Sequence, residues 1–159
     1  MANYGIKKIF QTKLTANELT DVEGIGCLRF EGNKVYKWVK YNSGAGPVAA
    51  VAGNVVYYYG ASGVGTVGYD DCVVTMDLTD AVLGAGVLQA ILTNGYYGWI
   101  QVRGPATLTT ALTAGADGNA LTIVGTTDGT LDVSALVTDH ICAYAFDASA
   151  KIISCEFPF

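Results

Sequence analysis

Apolar and polar positions alternate along most of this chain, and glycine, aspartate or asparagine breaks the alternation every few residues. That pattern predicts many short strands joined by turns. The clearest element covers residues 27–41, where CLRFE and KVYKWVKY flank Gly32-Asn33. A two-residue loop opening on glycine signals a type II′ hairpin, and it sets a register in which Glu31 faces Lys34, Phe30 faces Val35 and Cys27 faces Trp38. The spacing of Lys34, Lys37 and Lys40 also suits a helix, but the turn chemistry and the Val/Tyr/Trp content decide for strand. Further strands are expected at 54–59, 71–76, 96–103, 106–112, 120–124, 140–146 and 151–157, with Asp117-Gly118 and Asp128-Gly129 as turns.

Residues 79–92 are the one helical candidate. Thr79 would cap it and Leu83, Val87, Leu88 and Ile91 would line a face, although Gly84 and Gly86 each weaken it by about 1 kcal/mol. The expected fold is all-β: an antiparallel β-sandwich or barrel, jelly-roll-like, with at most one short helix. Residues 1–22 read as an extended N-terminal arm and residues 23–159 as a single β domain. In the last hairpin, a loop at 147–150 pairs Phe146 with Lys151, and counting back places Cys142 opposite Cys155 with their side chains in contact.

Composition sharpens this picture. Residues 42–69 and 81–102 contain no Asp, Glu, Lys, Arg or His, only 14% of the chain is charged, and mean hydropathy is +0.35. Both runs are too rich in glycine and too interrupted for a membrane-spanning helix, so a surface covered by other protein is the expectation. The N-terminus, MANYGIKKIF, has no apolar core of a signal peptide. Cysteines 27, 72, 142 and 155 form no CxxC, which removes zinc-ribbon and thioredoxin readings and leaves them as small hydrophobes in a reducing compartment. Net charge is −5, with +3 over residues 1–41 and −8 over residues 70–147. An acidic body argues against nucleic acid as a partner.

Catalytic and cofactor signals are weak. Gly44-Ala45-Gly46-Pro47-Val48-Ala49 matches G-x-G-x-x-A, but a β-rich VVYYY follows where a dinucleotide site needs a helix. No Gly-Lys dipeptide exists for a P-loop, and the run from Gly60 to Val64 misses G-x-S-x-G at its last position. His140 is the sole histidine, and its neighbour Asp139 would point to the opposite strand face. Asp70, Asp71, Asp77 and Asp80 could offer oxygens to calcium, yet no EF-hand spacing orders them. No catalytic residue, metal or cofactor is therefore assigned.

The aromatic clusters are the remaining special class, because consecutive aromatics on a strand cannot all enter one core. Tyr57, Tyr58, Tyr59, Tyr97 and Trp99, with Phe157 and Phe159 of the C-terminal tail and the basic Lys7, Lys8 and Lys13, are the candidate interface residues.

Three stretches, residues 24–30 running into 34–40, residues 98–104, and the Asp117-Gly118 to Asp128-Gly129 segment, resemble the capsid decoration (cement) proteins of tailed bacteriophages. The resemblance lies in glycine-punctuated, Ala/Thr/Val-rich strands. It implies an all-β protein made in the host cytoplasm that forms homodimers or homotrimers and binds the major capsid protein on the virion exterior, with no nucleic acid or membrane partner. A carbohydrate- or receptor-binding β-sandwich on a virion fibre is the alternative, and an enzyme ranks last.

Overall fold

The computed structural model describes residues 8–60 and 70–159. It is all-β, as the patterning predicts. The strands are β1 (Leu28–Glu31), β2 (Lys34–Tyr41), β3 (Val55–Tyr59), β4 (Val73–Thr75), β5 (Ala81–Leu88), β6 (Tyr97–Thr107), β7 (Ala120–Thr122), β8 (Asp132–Val133), β9 (Ala143–Asp147) and β10 (Ile152–Glu156), with one 3₁₀ turn at Leu78–Asp80. The first hairpin has the expected register, Glu31 opposite Lys34 and Phe30 opposite Val35, with Gly32 at φ +58.

Hydrogen-bonded neighbours run β2-β4-β3-β5-β6, and β6 pairs back onto β2, so five strands close a ring. Closure removes the open edges that a flat sheet would leave. From the far end of β6 a wing continues as β10, β9, β7 and β8. The expectation of a purely antiparallel sheet needs one correction: β2 and β4 pair in parallel, which is possible because β3 intervenes between them in sequence.

Three local expectations are overturned. Residues 79–92 form no α-helix; β5 occupies most of them. A Cβ on Gly86 would lie 2.8 Å from the Gln101 carbonyl oxygen, and one on Gly84 would lie 3.0 Å from Cys142 Sγ and the Phe157 ring. The two glycines therefore let β5 pass close to its neighbours. Residues 96–103 and 106–112 do not form separate strands, because β6 runs through Gly104 and Pro105. Gly104, at φ +88, passes against the Asn33 carbonyl, and Pro105 lies beyond Arg103, the last β6 residue paired with β2.

In the last hairpin the register differs from the expected one by two residues beside the loop and by one at the cysteines. Cys155 stands opposite Ala143, Asp147 pairs with Ile152, and a bulge separates the two registers. Asp147 closes the loop instead of entering it: its Oδ1 accepts from Ala150 N at 2.9 Å and Ser149 Oγ at 2.7 Å, the role that aspartate takes at the first position of a turn. Cys142 and Cys155 are both buried and free, and burial pushes the Cys142 thiol up to about 12.

Among the described residues, much of both uncharged runs lies in the chain's own core. Val55–Tyr58, Ala85, Val87, Leu88, Trp99, Ile100 and Val102 are all buried, because ring strands are covered on both faces. Inside the ring, Lys37 Nζ donates to the Asp71 carbonyl at 2.6 Å and to Tyr58 Oη at 3.1 Å; Tyr58 Oη donates to the Pro158 carbonyl at 2.7 Å. Outside it, Tyr57 Oη donates to the Thr130 carbonyl at 2.8 Å and Val55 N to the Gly129 carbonyl at 2.9 Å.

Among the described residues, no helix is long and apolar enough to cross a membrane.

Candidate interaction surface

Two aromatic-bearing sheet faces are built in opposite ways. The first is the outer face of β2 and β6, where Tyr36, Trp38 and Trp99 form a second cluster covered by Phe10, Leu14, Ala16 and Val22. The N-terminal segment acts there as a strap across its own sheet. Trp38 and Trp99 meet edge to face at 5.1 Å between ring centroids, and Phe10 meets Trp99 at 5.5 Å.

Polar clips hold the strap down. Glu23 is buried, and its Oε1 accepts from Gln11 N and Thr12 N, each at 2.7 Å, and from Thr12 Oγ1 at 2.8 Å. The indoles find partners on the same segment: Trp99 Nε1 donates to Thr12 Oγ1 and Trp38 Nε1 to Asp21 Oδ1, both at 2.9 Å. Arg29 donates to the Thr12 carbonyl at 2.8 Å and stands 5.1 Å from the Phe10 ring centroid. Backbone bonds between Glu18 and Tyr97 add a single β-bridge.

The second surface is the solvent face of the wing. β9 reads Ala-Tyr-Ala-Phe-Asp, and its alanines, not its aromatics, point inward. Tyr144 is 47% exposed and Phe146 72%. Tyr144 stands beside Ser154 and Ala120, Ser154 beside Pro105, and Ile152 beside Thr107. The exposed Arg103–Glu156 ion pair, 2.7 Å, borders this face. At the end of the wing, Leu136 and Val137 are also exposed on a tight loop. Asp139 Oδ2 fastens that loop by accepting from Leu136 N at 2.8 Å and Ala135 N at 2.9 Å, which hold its carboxyl below the usual range.

The sequence-derived candidates divide accordingly. Tyr57, Tyr58, Trp99 and Phe157 are buried in the chain's own core and offer nothing at the surface. Tyr59 and Tyr97 are half-buried, while Lys8, Lys13 and Phe159 are exposed. Lys7 lies outside the described residues, as do residues 61–64 of the G-x-S-x-G near-match. Tyr144, Phe146, Leu136 and Val137 were missed. The only available signal was the alternation of alanine with aromatics, and it does not say which set faces out.

The glycine loop is occupied by the protein's own acids. Ala45 N donates to Asp80 Oδ2 at 2.6 Å and Gly46 N to Asp77 Oδ2 at 2.9 Å. Amides that could cradle a phosphate are thus already used, and a Cβ on Gly44 would strike the Asp77 side chain. Burial alone would raise the Asp77 carboxyl, but donors from Thr79 and Gly46 outweigh it and leave it lowered. Every aspartate from 70 to 147 except Asp71 accepts a backbone N–H in this way. Asp70, Asp71 and Cys72 lie close enough to share an ion, and burial with the Asp71 contact pushes the Cys72 thiol up to about 11. Asp77 and Asp80 are not part of that group, being committed to the glycine loop. Asp139 serves its own loop rather than the exposed His140.

Comparison with known proteins finds no matching family model, no matching curated protein and no matching solved structure.

Proposed function

We propose that this chain is a structural virion protein that binds the outside of a phage capsid and reinforces it by bridging neighbouring capsomers, acting as a homodimer or homotrimer. The observation that supports this reading is the wing face. Tyr144, Phe146, Pro105 and Ile152 present apolar side chains to solvent on a hydrogen-bonded sheet, bordered by an ion pair, which is the make-up of an interface core with a polar rim. Several modest contacts of this kind, each made to a different shell subunit, gain strength by avidity.

The measurement that tests it is the copy number of the protein in purified particles relative to the major shell protein. A ratio near one, or a simple lattice fraction, supports a decorating role, and complete absence from particles rules it out. On purified particles, the double substitution Tyr144→Ser with Phe146→Ser should abolish attachment while the circular dichroism spectrum stays unchanged.

A second reading, a carbohydrate- or receptor-binding module, draws on the same two rings, since exposed aromatics on a flat strand can stack on sugars. Glycan-array binding that is lost in the Tyr144→Ser variant would favour it over the decorating role.

A further inference from the structure

We propose that Lys8 and Cys27 form an oxidation-dependent covalent latch, a nitrogen–oxygen–sulfur bridge that locks the N-terminal strap over the tryptophan face. Lys8 Nζ lies 2.6 Å from Cys27 Sγ. That separation is too short for an ordinary N–H···S hydrogen bond and too long for a direct S–N bond. It matches the span of two single bonds meeting at one oxygen atom.

Both partners are held in place. The amine also donates to the Glu23 carbonyl at 2.7 Å and lies 5.4 Å from the Phe10 ring centroid. Cys27 is fixed by its backbone, donating to the Gly24 carbonyl at 3.0 Å and accepting from Trp38 N at 2.9 Å. The other cysteines are worse placed to react. Cys142 and Cys155 are fully buried with raised thiols, and the Cys72 sulfur is hydrogen-bonded to Asp71 at 3.3 Å. Cys27 is only half-buried, so a small oxidant can reach it.

Hydrogen peroxide supplies the chemistry in two steps. One peroxide transfers an oxygen to the Cys27 thiol, giving a sulfenic acid and one water. Lys8 sheds its extra proton to solvent. A second peroxide then oxidises the amine–sulfenic acid pair, an N–O bond forms to the sulfenic oxygen, and two waters leave. Each peroxide accepts two electrons, so the bridge sits four electrons above the free pair. Two equivalents of dithiol return it to thiol, amine and water.

The latch has a structural consequence. Lys8 stands at the start of the described strap and Cys27 just before β1, so the bridge closes a loop around the segment that carries Phe10, Thr12, Asp21 and Glu23. Closing such a loop restricts the open state far more than the covered one.

The test uses the full chain with and without hydrogen peroxide, digested with its thiols blocked and read by mass spectrometry. The expected product joins the peptide containing Lys8 to the peptide containing Cys27, with one oxygen gained and two hydrogens lost. It reverts with dithiothreitol and is absent in Lys8→Arg, which keeps the positive charge. Amide hydrogen exchange over residues 9–23 should slow by about tenfold in oxidised wild type and stay unchanged in oxidised Lys8→Arg. If the oxidised wild-type chain instead carries only a dimedone-reactive Cys27, or a Cys27–Cys72 disulfide, with Lys8 still cleavable by trypsin, the latch is overturned.

Discussion

The strap-covered face of β2 and β6 and the solvent face of β9 are both rows of aromatics on alternating strands, yet one is sealed and the other open. On β2 and β6, the strand sends Val39 and Ile100 to the ring interior and Trp38 and Trp99 outward, and a separate segment of chain lies over the indoles. On β9, the inward positions are Ala143 and Ala145, and Tyr144 and Phe146 are left exposed. Aromatic content therefore does not by itself locate an interface. What matters is whether another part of the same chain has donors and acceptors aimed at the rings, as Thr12 and Asp21 are at the two indoles.

Removing residues 1–22 should break this contrast most completely, since it uncovers Trp38 and Trp99 together. The expected result is loss of a cooperative urea transition and a red-shifted tryptophan emission. A truncated chain that unfolds normally with blue emission would mean the strap is dispensable. Trp99→Ala should cost about 3–5 kcal/mol by chemical denaturation. Phe146→Ala should change stability by no more than about 0.5 kcal/mol, as expected for an exposed side chain.

Acid comes next in size. The carboxyls of Asp77, Asp139 and Asp147 are held below their usual range by hydrogen bonds to loop amides and hydroxyls; Asp77 is so held despite the opposing effect of burial. Their folded values are depressed, so the stability they contribute is fully present above the unfolded aspartate value of about 3.9 and is lost as pH falls through the folded values. Hydrogen exchange should therefore quicken in the loops at 44–46, 135–139 and 147–150 as pH is lowered from 5 to 3, and unchanged exchange there would remove these carboxyls from the account.

A small effect of opposite sign is expected at Lys151, which has φ +59 without being glycine. Lys151→Gly relieves a left-handed conformation that costs an L-residue about 1–2 kcal/mol, but gives up a hydrogen bond from Nζ to the Thr109 carbonyl. The net gain should be below about 1 kcal/mol, read as a small rise in melting temperature.

Much of the β-structure was legible because its turns carry their own chemistry. Gly32-Asn33 announced the first hairpin, and the strands around residues 55–59, 73–75 and 120–122 fell within the apolar runs that predicted them. Residues 81–88, AVLGAGVL, were misread because a run of small apolar residues fits helical and strand periods equally well. Their glycines make sense only once Gln101 and Phe157 are seen against them. The strap was read as an arm because Phe10 and Leu14 are too sparse to announce a buried face, and its grip comes from Glu23 and Asp21, which look like surface acids in a sequence. The exposed row on β9 was hidden for the converse reason: both of its faces are apolar.

Ring closure also bears on how the chain is made. β2 takes β4 on one side and β6 on the other, and β6 ends at Thr107. During synthesis the β2 edge that later takes β6 stays unpaired until residues 97–107 have emerged. The ribosome thus releases a sticky intermediate whose hazard ends only when β6 arrives. A translational pause before residues 97–107 have left the ribosome should accordingly raise aggregation of the nascent chain, whereas a pause after they have emerged should not.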